Sequence, residues 1–222
     1  MGGACLAAAL AVPAGWWATR EPASAGVPVA EAVAAPVSAP ALPPAPASAP
    51  VPARADVLPE LSARPAVPPA PVPAPARLLV PSLGVDAAVD AVGLTDGGAV
   101  AVPEVGARVG WYRYGPAPGA AQGSAVIVGH VDTWDGGPGA LYRLARLEPG
   151  AEVVVAREDG STAAYRVLGR EAVAKDALPA DALFTTAGPA RLVLISCGGP
   201  FDEETRTYRD NVVVVAEPVP PS

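Results

Sequence analysis

From Arg77 onward, apolar residues fall in short runs broken by Gly and Pro, the pattern of an all-β domain. The runs predict strands over 77–80, 125–128, 151–157, 163–168, 191–196 and 211–216. Between the third and fourth, Glu158-Asp159-Gly160-Ser161 predicts a hairpin turn, with the Asp-Gly pair at its centre. Helical periodicity is scarce, and short helical turns are expected only over 139–146 and 179–184. So many short strands with so little helix predict a closed or half-closed antiparallel sheet.

The N-terminal third follows another pattern. Roughly half of the 29 prolines lie between Pro22 and Pro75, in a tract of Ala, Pro, Val and Ser without apolar periodicity. Proline fixes φ and removes an amide donor, so residues 21–76 are expected to form a disordered, extended Pro/Ala-rich linker. At about 3.1 Å per residue it would hold a domain on the order of 150 Å from its anchor; a tail with no spacing role is the plain alternative. Ahead of it, the stretch from Cys5 to Ala18 is apolar and ends in Trp16-Trp17, residues favoured at a membrane interface. It is shorter than the roughly 20 residues of a full span. With Ala23-Ser24-Ala25 as a candidate cleavage site, residues 1–20 read as a signal peptide or membrane anchor, although the usual basic start is missing. Residues 77–218 then have the usual size of one domain with one core.

A formal net charge of -7, with Lys175 as the lone lysine, argues against a nucleic-acid partner, since phosphate neutralisation needs clustered Lys and Arg. Two cysteines, Cys5 and Cys197, sit in regions of opposite character, and Cys197 reads as a free thiol rather than part of a disulfide framework. One histidine and two distant cysteines exclude an ordinary zinc site and leave only a carboxylate calcium site open. No cofactor is expected.

Three side chains remain as candidates for chemistry. Cys197 ends the strand over 191–196, on the face of Val193 and Ile195, and Gly198-Gly199-Pro200 comes at once after it. His130 ends the strand over 125–129 and is followed by Val131-Asp132-Thr133. A thiol and an imidazole at matching strand ends can face each other, and the imidazole can then move the protons that thiol acylation requires. The loop 198–207 leads into a return strand beside the cysteine strand, which brings a guanidinium near the thiol. Arg209 opens that strand on the face of Asn211, Val213 and Val215, while Arg206 lies in the loop. An arginine there stays protonated and offers several donors to a substrate backbone or an oxyanion. The bland readings are a buried structural cysteine, a satisfied structural histidine, and an arginine paired on the surface with Glu203, Glu204 or Asp210.

At these residues the chain resembles a known family. Leu192-Val193-Leu194-Ile195-Ser196-Cys197, followed by Arg and a Val-rich strand, resembles the sortase signature TLxTC…R, and Gly129-His130 resembles its histidine site. The likeness is nearer to the class F sortases of actinobacteria. It extends through Leu79-Val80-Pro81-Ser82-Leu83-Gly84-Val85-Asp86, Arg108-Val109-Gly110-Trp111-Tyr112, Val126 to Asp132, Cys197 to Asp202, and Tyr208-Arg209-Asp210-Asn211. Each piece is weak alone, and together in this order they are specific. The resemblance implies an eight-stranded sortase β-barrel with one or two short helices. It also implies a Cys-His-Arg active site of Cys197, His130 and Arg209, and cleavage of an LPxTG-like sorting signal between Thr and Gly. Its implied partners are surface proteins carrying that signal, and a peptidoglycan precursor or other amine acceptor. The implied location is extracytoplasmic, on the membrane through the N-terminal segment or secreted to the wall. Ser196 departs from the family's Thr but keeps the hydroxyl.

Two rival enzymes fit less well. An L,D-transpeptidase places His-Gly directly before its cysteine, whereas Ser196 precedes Cys197; papain-like peptidases place the cysteine before the histidine in the chain. The non-enzymatic alternative is a secreted Pro-rich wall or adhesion module in which all three candidates are structural.

Overall fold

Three segments, 124–129, 191–196 and 212–216, are apolar at nearly every position, as strands buried on both faces must be. The computed structural model describes residues 24–34, 71–133 and 137–220 and lays these segments side by side. The strands are β1 (Ser24–Gly26), β2 (Pro75–Val80), β3 (Val85–Val92), β4 (Val109–Tyr112), β5 (Ser124–Gly129), β6 (Glu152–Arg157), β7 (Thr162–Ala174), β8 (Arg191–Asp202) and β9 (Thr207–Pro218). Two short helices, α1 (Val29–Ala34) and α2 (Ala180–Leu183), complete the set, apart from single 3-10 turns. Eight strands in the order β7-β6-β2-β3-β4-β5-β8-β9 form a barrel that β7 and β9 close by pairing with each other. Neighbours run antiparallel except β3–β4 and β5–β8, which are parallel. The eight-stranded barrel implied by the resemblance is therefore present.

Alternation assigns the faces. Leu78, Val80, Ile127, Val155, Leu194 and Val214 are fully buried inside the barrel. Val126, Val193 and Val215 point the other way, into a second apolar layer covered by α1 and by Leu183 of α2. This outer layer explains the unbroken apolar runs of β5, β8 and β9. By contrast β6 and β7 leave residues on one face accessible and read as alternating. The hairpin at 158–161 forms as predicted, with the Arg157 amide donating to the Ser161 carbonyl at 2.8 Å.

Several predicted elements change length. β7 runs to Ala174 rather than 168, because its second half gains β9 on one side and β1 on the other. β3 and β4 carried no strand prediction: β3 is built from small Ala and Asp positions and β4 is four residues with a central glycine. The turn over 139–146 is helical only at Leu144–Arg146.

The expectation of a continuous linker over 21–76 needs correction for the parts that are described. β2 begins at Pro75, and Ser24–Ala34 folds onto the barrel as β1 and α1. β1 pairs with residues 169–171 of β7, and the chain then crosses so close to Gly169 that a Cβ there would lie 1.9 Å from the Val27 carbonyl oxygen. Val29, Ala32 and Val33, spaced i, i+3, i+4, are buried against Val193 and Val215. Side chains from the barrel serve both ends of α1. The Glu171 carboxylate accepts from the Val29 amide at 3.0 Å, and the buried Arg191 donates from Nε to the Ala32 carbonyl at 2.7 Å. Six residues are too few for helical periodicity to show against an Ala-Pro background. Residues 1–23 and 35–70, including the apolar stretch and most of the Pro-rich tract, lie outside the described residues. Among the described residues no helix is long and apolar enough to cross a membrane.

Burying one valine contributes about 1.5–3 kcal/mol, and forcing a carboxylate into that layer adds a desolvation cost. Val33→Asp is expected to lower stability by about 2 kcal/mol or more, which at this size is a Tm fall of roughly 5 °C or more. Calorimetry checks this; an unchanged Tm would mean that α1 adds nothing to the fold.

Candidate active site

The site begins with strand register. In the parallel β5–β8 ladder Gly129 is level with Ser196, so the next residues along each strand, His130 and Cys197, are neighbours. Adjacent strands lie about 4.8 Å apart. Both side chains belong to the outer face: His130 continues the row of Val126 and Val128, and Cys197 that of Val193 and Ile195. Cys197 is a free, half-buried thiol.

Beyond the cysteine the structure departs from the expected turn. β8 does not stop at Gly-Gly-Pro; it runs on to Asp202, paired with β9 as a two-stranded ribbon. Cys197 is level with Asn211 and Gly198 with Asp210, and then the register breaks before Phe201 meets Tyr208. The break is a bulge at Gly199, whose φ of 72° suits glycine and where a Cβ would lie 2.1 Å from Asp210 Oδ2. A bulge of this kind bends its strand and increases the local twist.

Arg209 stands on the outer face, two residues before Asn211, with its side chain 68% exposed. Its Nη2 lies 3.9 Å from Asp202 Oδ2, a loose surface pair with a partner other than the three acids anticipated from sequence. The Asp202 carboxyl is held below the usual range first by the Thr205 amide, with the Glu204 amide and the Arg209 charge adding to the effect. Arg206 sits at the ribbon tip with a φ of 54°. The structure thus brings His130 and Cys197 together, puts Arg209 on their face, and leaves Arg206 at the far end of the turn.

His130 Nε2 is 3.0 Å from the Pro103 carbonyl oxygen. A carbonyl only accepts, so Nε2 carries the proton in the neutral ring and Nδ1 is the atom that takes one. Nothing local in the sequence flags Pro103 as the histidine's partner; the contact is made across the loop after β3.

Cys197, Ser196 and Asn211 line a groove of about 830 Å³. Its walls are largely apolar and include Leu94, Val100, Tyr112, Leu178, Phe184 and Ile195. The Tyr112 ring meets Phe184 edge-on with centroids 5.5 Å apart, fixing α2 against the end of β4. α2 in turn packs against α1, so the N-terminal segment supports one wall of the groove from behind. Most of these wall residues come from loops without strand periodicity, which is why sequence patterning assigns them no role. Among the described residues no three His, Cys, Asp or Glu side chains converge as metal ligands would.

The same architecture occurs in solved proteins of low sequence identity. Sortase C-1 from Actinomyces oris is 21% identical, with a TM-score of 0.51 over 65% of this chain and 73% of that one. Sortase A from Corynebacterium diphtheriae is 16% identical, with a TM-score of 0.51 over 68% and 62% respectively. Sortase C1 from Streptococcus agalactiae is 16% identical, with a TM-score of 0.51 over 66% and 68%. No curated protein matches the sequence. Sequence adds what these folds alone do not: residues 78–219, from β2 through β9 and including His130 and Cys197, match the Sortase domain family. By that match across more than half its length, the chain belongs to the sortase family.

Proposed function

We propose that the chain is a cysteine transpeptidase that cleaves an LPxTG-like sorting signal between Thr and Gly and passes the acyl group to an amine. The single observation that carries this is the level pairing of Gly129 with Ser196, which sets an imidazole beside a thiol that lines an apolar groove. His130 takes the Cys197 thiol proton, and the resulting thiolate attacks the Thr carbonyl carbon, forming a C–S bond as the carbonyl becomes an oxyanion. The oxyanion collapses, the C–N bond to Gly breaks, and His130 delivers a proton to the leaving amine. The incoming amine then attacks the thioester, gives a proton to His130, and releases the Cys197 thiolate. Arg209 holds the substrate backbone or the oxyanion, which requires its guanidinium to leave Asp202; a pair that loose costs little to break. The aliphatic and aromatic walls suit the Leu and Pro side chains upstream of the scissile bond.

The partners on this reading are surface proteins with such a C-terminal signal and a peptidoglycan precursor or other amine acceptor. The work is done outside the cytoplasm by a chain held through its N-terminal segment or released to the wall. The set of motifs running from Leu79 to Asn211 supports class F within the family. A purely structural wall module gives no reason for a groove-lining free thiol beside the only histidine.

The test uses the full chain, because Ser24–Ala34 is part of the fold. Incubated with an LPxTG peptide and an amine, it is expected to show an acyl adduct on Cys197 by intact mass and a transfer product. Absence of both with every sorting peptide tried, together with an unaltered Cys197→Ala protein, would sink the reading. Arg209→Ala is expected to lower kcat/KM by roughly 100-fold. Arg206→Ala should change it less than about threefold, and the opposite ranking in steady-state assays would move the role to Arg206.

A further inference from the structure

Beyond Gly129 the β5–β8 ladder ends. His130 enters a loop that doubles back through an Asp132–Pro138 bridge and paired Thr133–Gly137 hydrogen bonds. Cys197, in contrast, continues into the β8–β9 ribbon. His130 therefore leaves the sheet while Cys197 stays in it, and a thiol and an imidazole whose separation varies make a poor proton-transfer pair.

One contact ties those pieces back together. The Tyr208 hydroxyl donates to the Asp132 carboxylate across 76 positions of sequence. Tyr208 lies near the start of β9 and alternates with Arg209, so it reaches Asp132 from the face opposite the arginine, behind the reacting groups. Its ring is steered by its cross-strand partner Phe201, edge-on with centroids 5.1 Å apart. We propose that Tyr208 and Asp132 are positioning residues, a clasp that fixes the distance between His130 and Cys197. The bond is charge-assisted, which makes it one of the stronger kinds available to a half-exposed pair. The hydrogen bond to Asp132, then burial and the nearby Asp132 and Cys197 charges, push the phenol up to about 12. The hydroxyl is accordingly a donor across the whole neutral and mildly alkaline range, and that donor is lost as pH rises through about 12.

The inference rests on the transpeptidase reading for its meaning, so two readouts are needed. One is steady-state transpeptidation of an LPxTG peptide; the other is the pH profile of Cys197 alkylation by iodoacetamide, which needs no peptide. Tyr208→Phe keeps the ring against Phe201 and removes only the donor. It is expected to lower kcat about tenfold with KM within about twofold, and to displace the alkylation profile, while Tm stays within roughly 2 °C. Asp132→Ala should match it, Asp132→Asn should recover part of the loss because an amide oxygen still accepts, and the double variant should be no worse than either single one. Wild-type kcat and an unmoved alkylation profile in Tyr208→Phe would overturn the clasp, as would losses that multiply in the double variant. A displaced alkylation profile in a protein that transfers no sorting peptide would uphold the clasp and refute the transpeptidase reading instead.

Discussion

A slip of one residue between β5 and β8 would turn every side chain of one strand to the other face and send His130 and Cys197 to opposite sides of the sheet. Burial on both faces prevents the slip. Ile127 and Leu194 are locked in the barrel interior, while Val126, Val193 and Val215 are locked beneath α1 and α2. Apolar side chains fill both layers at these positions, so one register satisfies both at once. The chemistry at the strand ends inherits its geometry from packing a few residues upstream.

The same double burial decides how much is legible in the sequence. β5, β8 and β9 stand out because a run such as Val212-Val213-Val214-Val215 suits a strand buried on both faces and little else, and the strand ends mark His130 and the face of Cys197. β3 and β4 do not stand out, since Asp86, Asp90 and Gly110 break the pattern that identifies a strand. The cysteine's strand reads as ending at a Gly-Gly-Pro turn, although those residues build a bulge inside a longer ribbon. Gly and Pro mark both features, and only the pairing of Phe201 with Tyr208 tells them apart.

Contacts between loops are the least legible of all. The Pro103 carbonyl that orients His130, the groove residues Leu94 and Val100, and the Asp132–Tyr208 bond join segments that no local periodicity connects. Asp132 and Tyr208 both belong to the motifs that carry the family likeness, so the residues are in view in the sequence while their relation is not. Sequence patterns report what a residue needs from its neighbours along the chain; a site assembled from strand ends depends on neighbours across it.

The docking of Ser24–Ala34 has a further effect on scale. Because both ends of the 35–70 stretch attach to the same folded body, its length adds nothing to the distance between that body and anything at the N-terminus. Six residues, 18–23, separate Trp17 from Ser24, and that many span at most about 20 Å. If the apolar stretch ending at Trp17 is seated in a bilayer, the barrel rides just above the headgroups instead of on the order of 150 Å out in the wall. Any substrate would then meet the groove close to where it emerges from the membrane, and the reach of the enzyme would be set by the substrate's own length rather than by the Pro-rich tract.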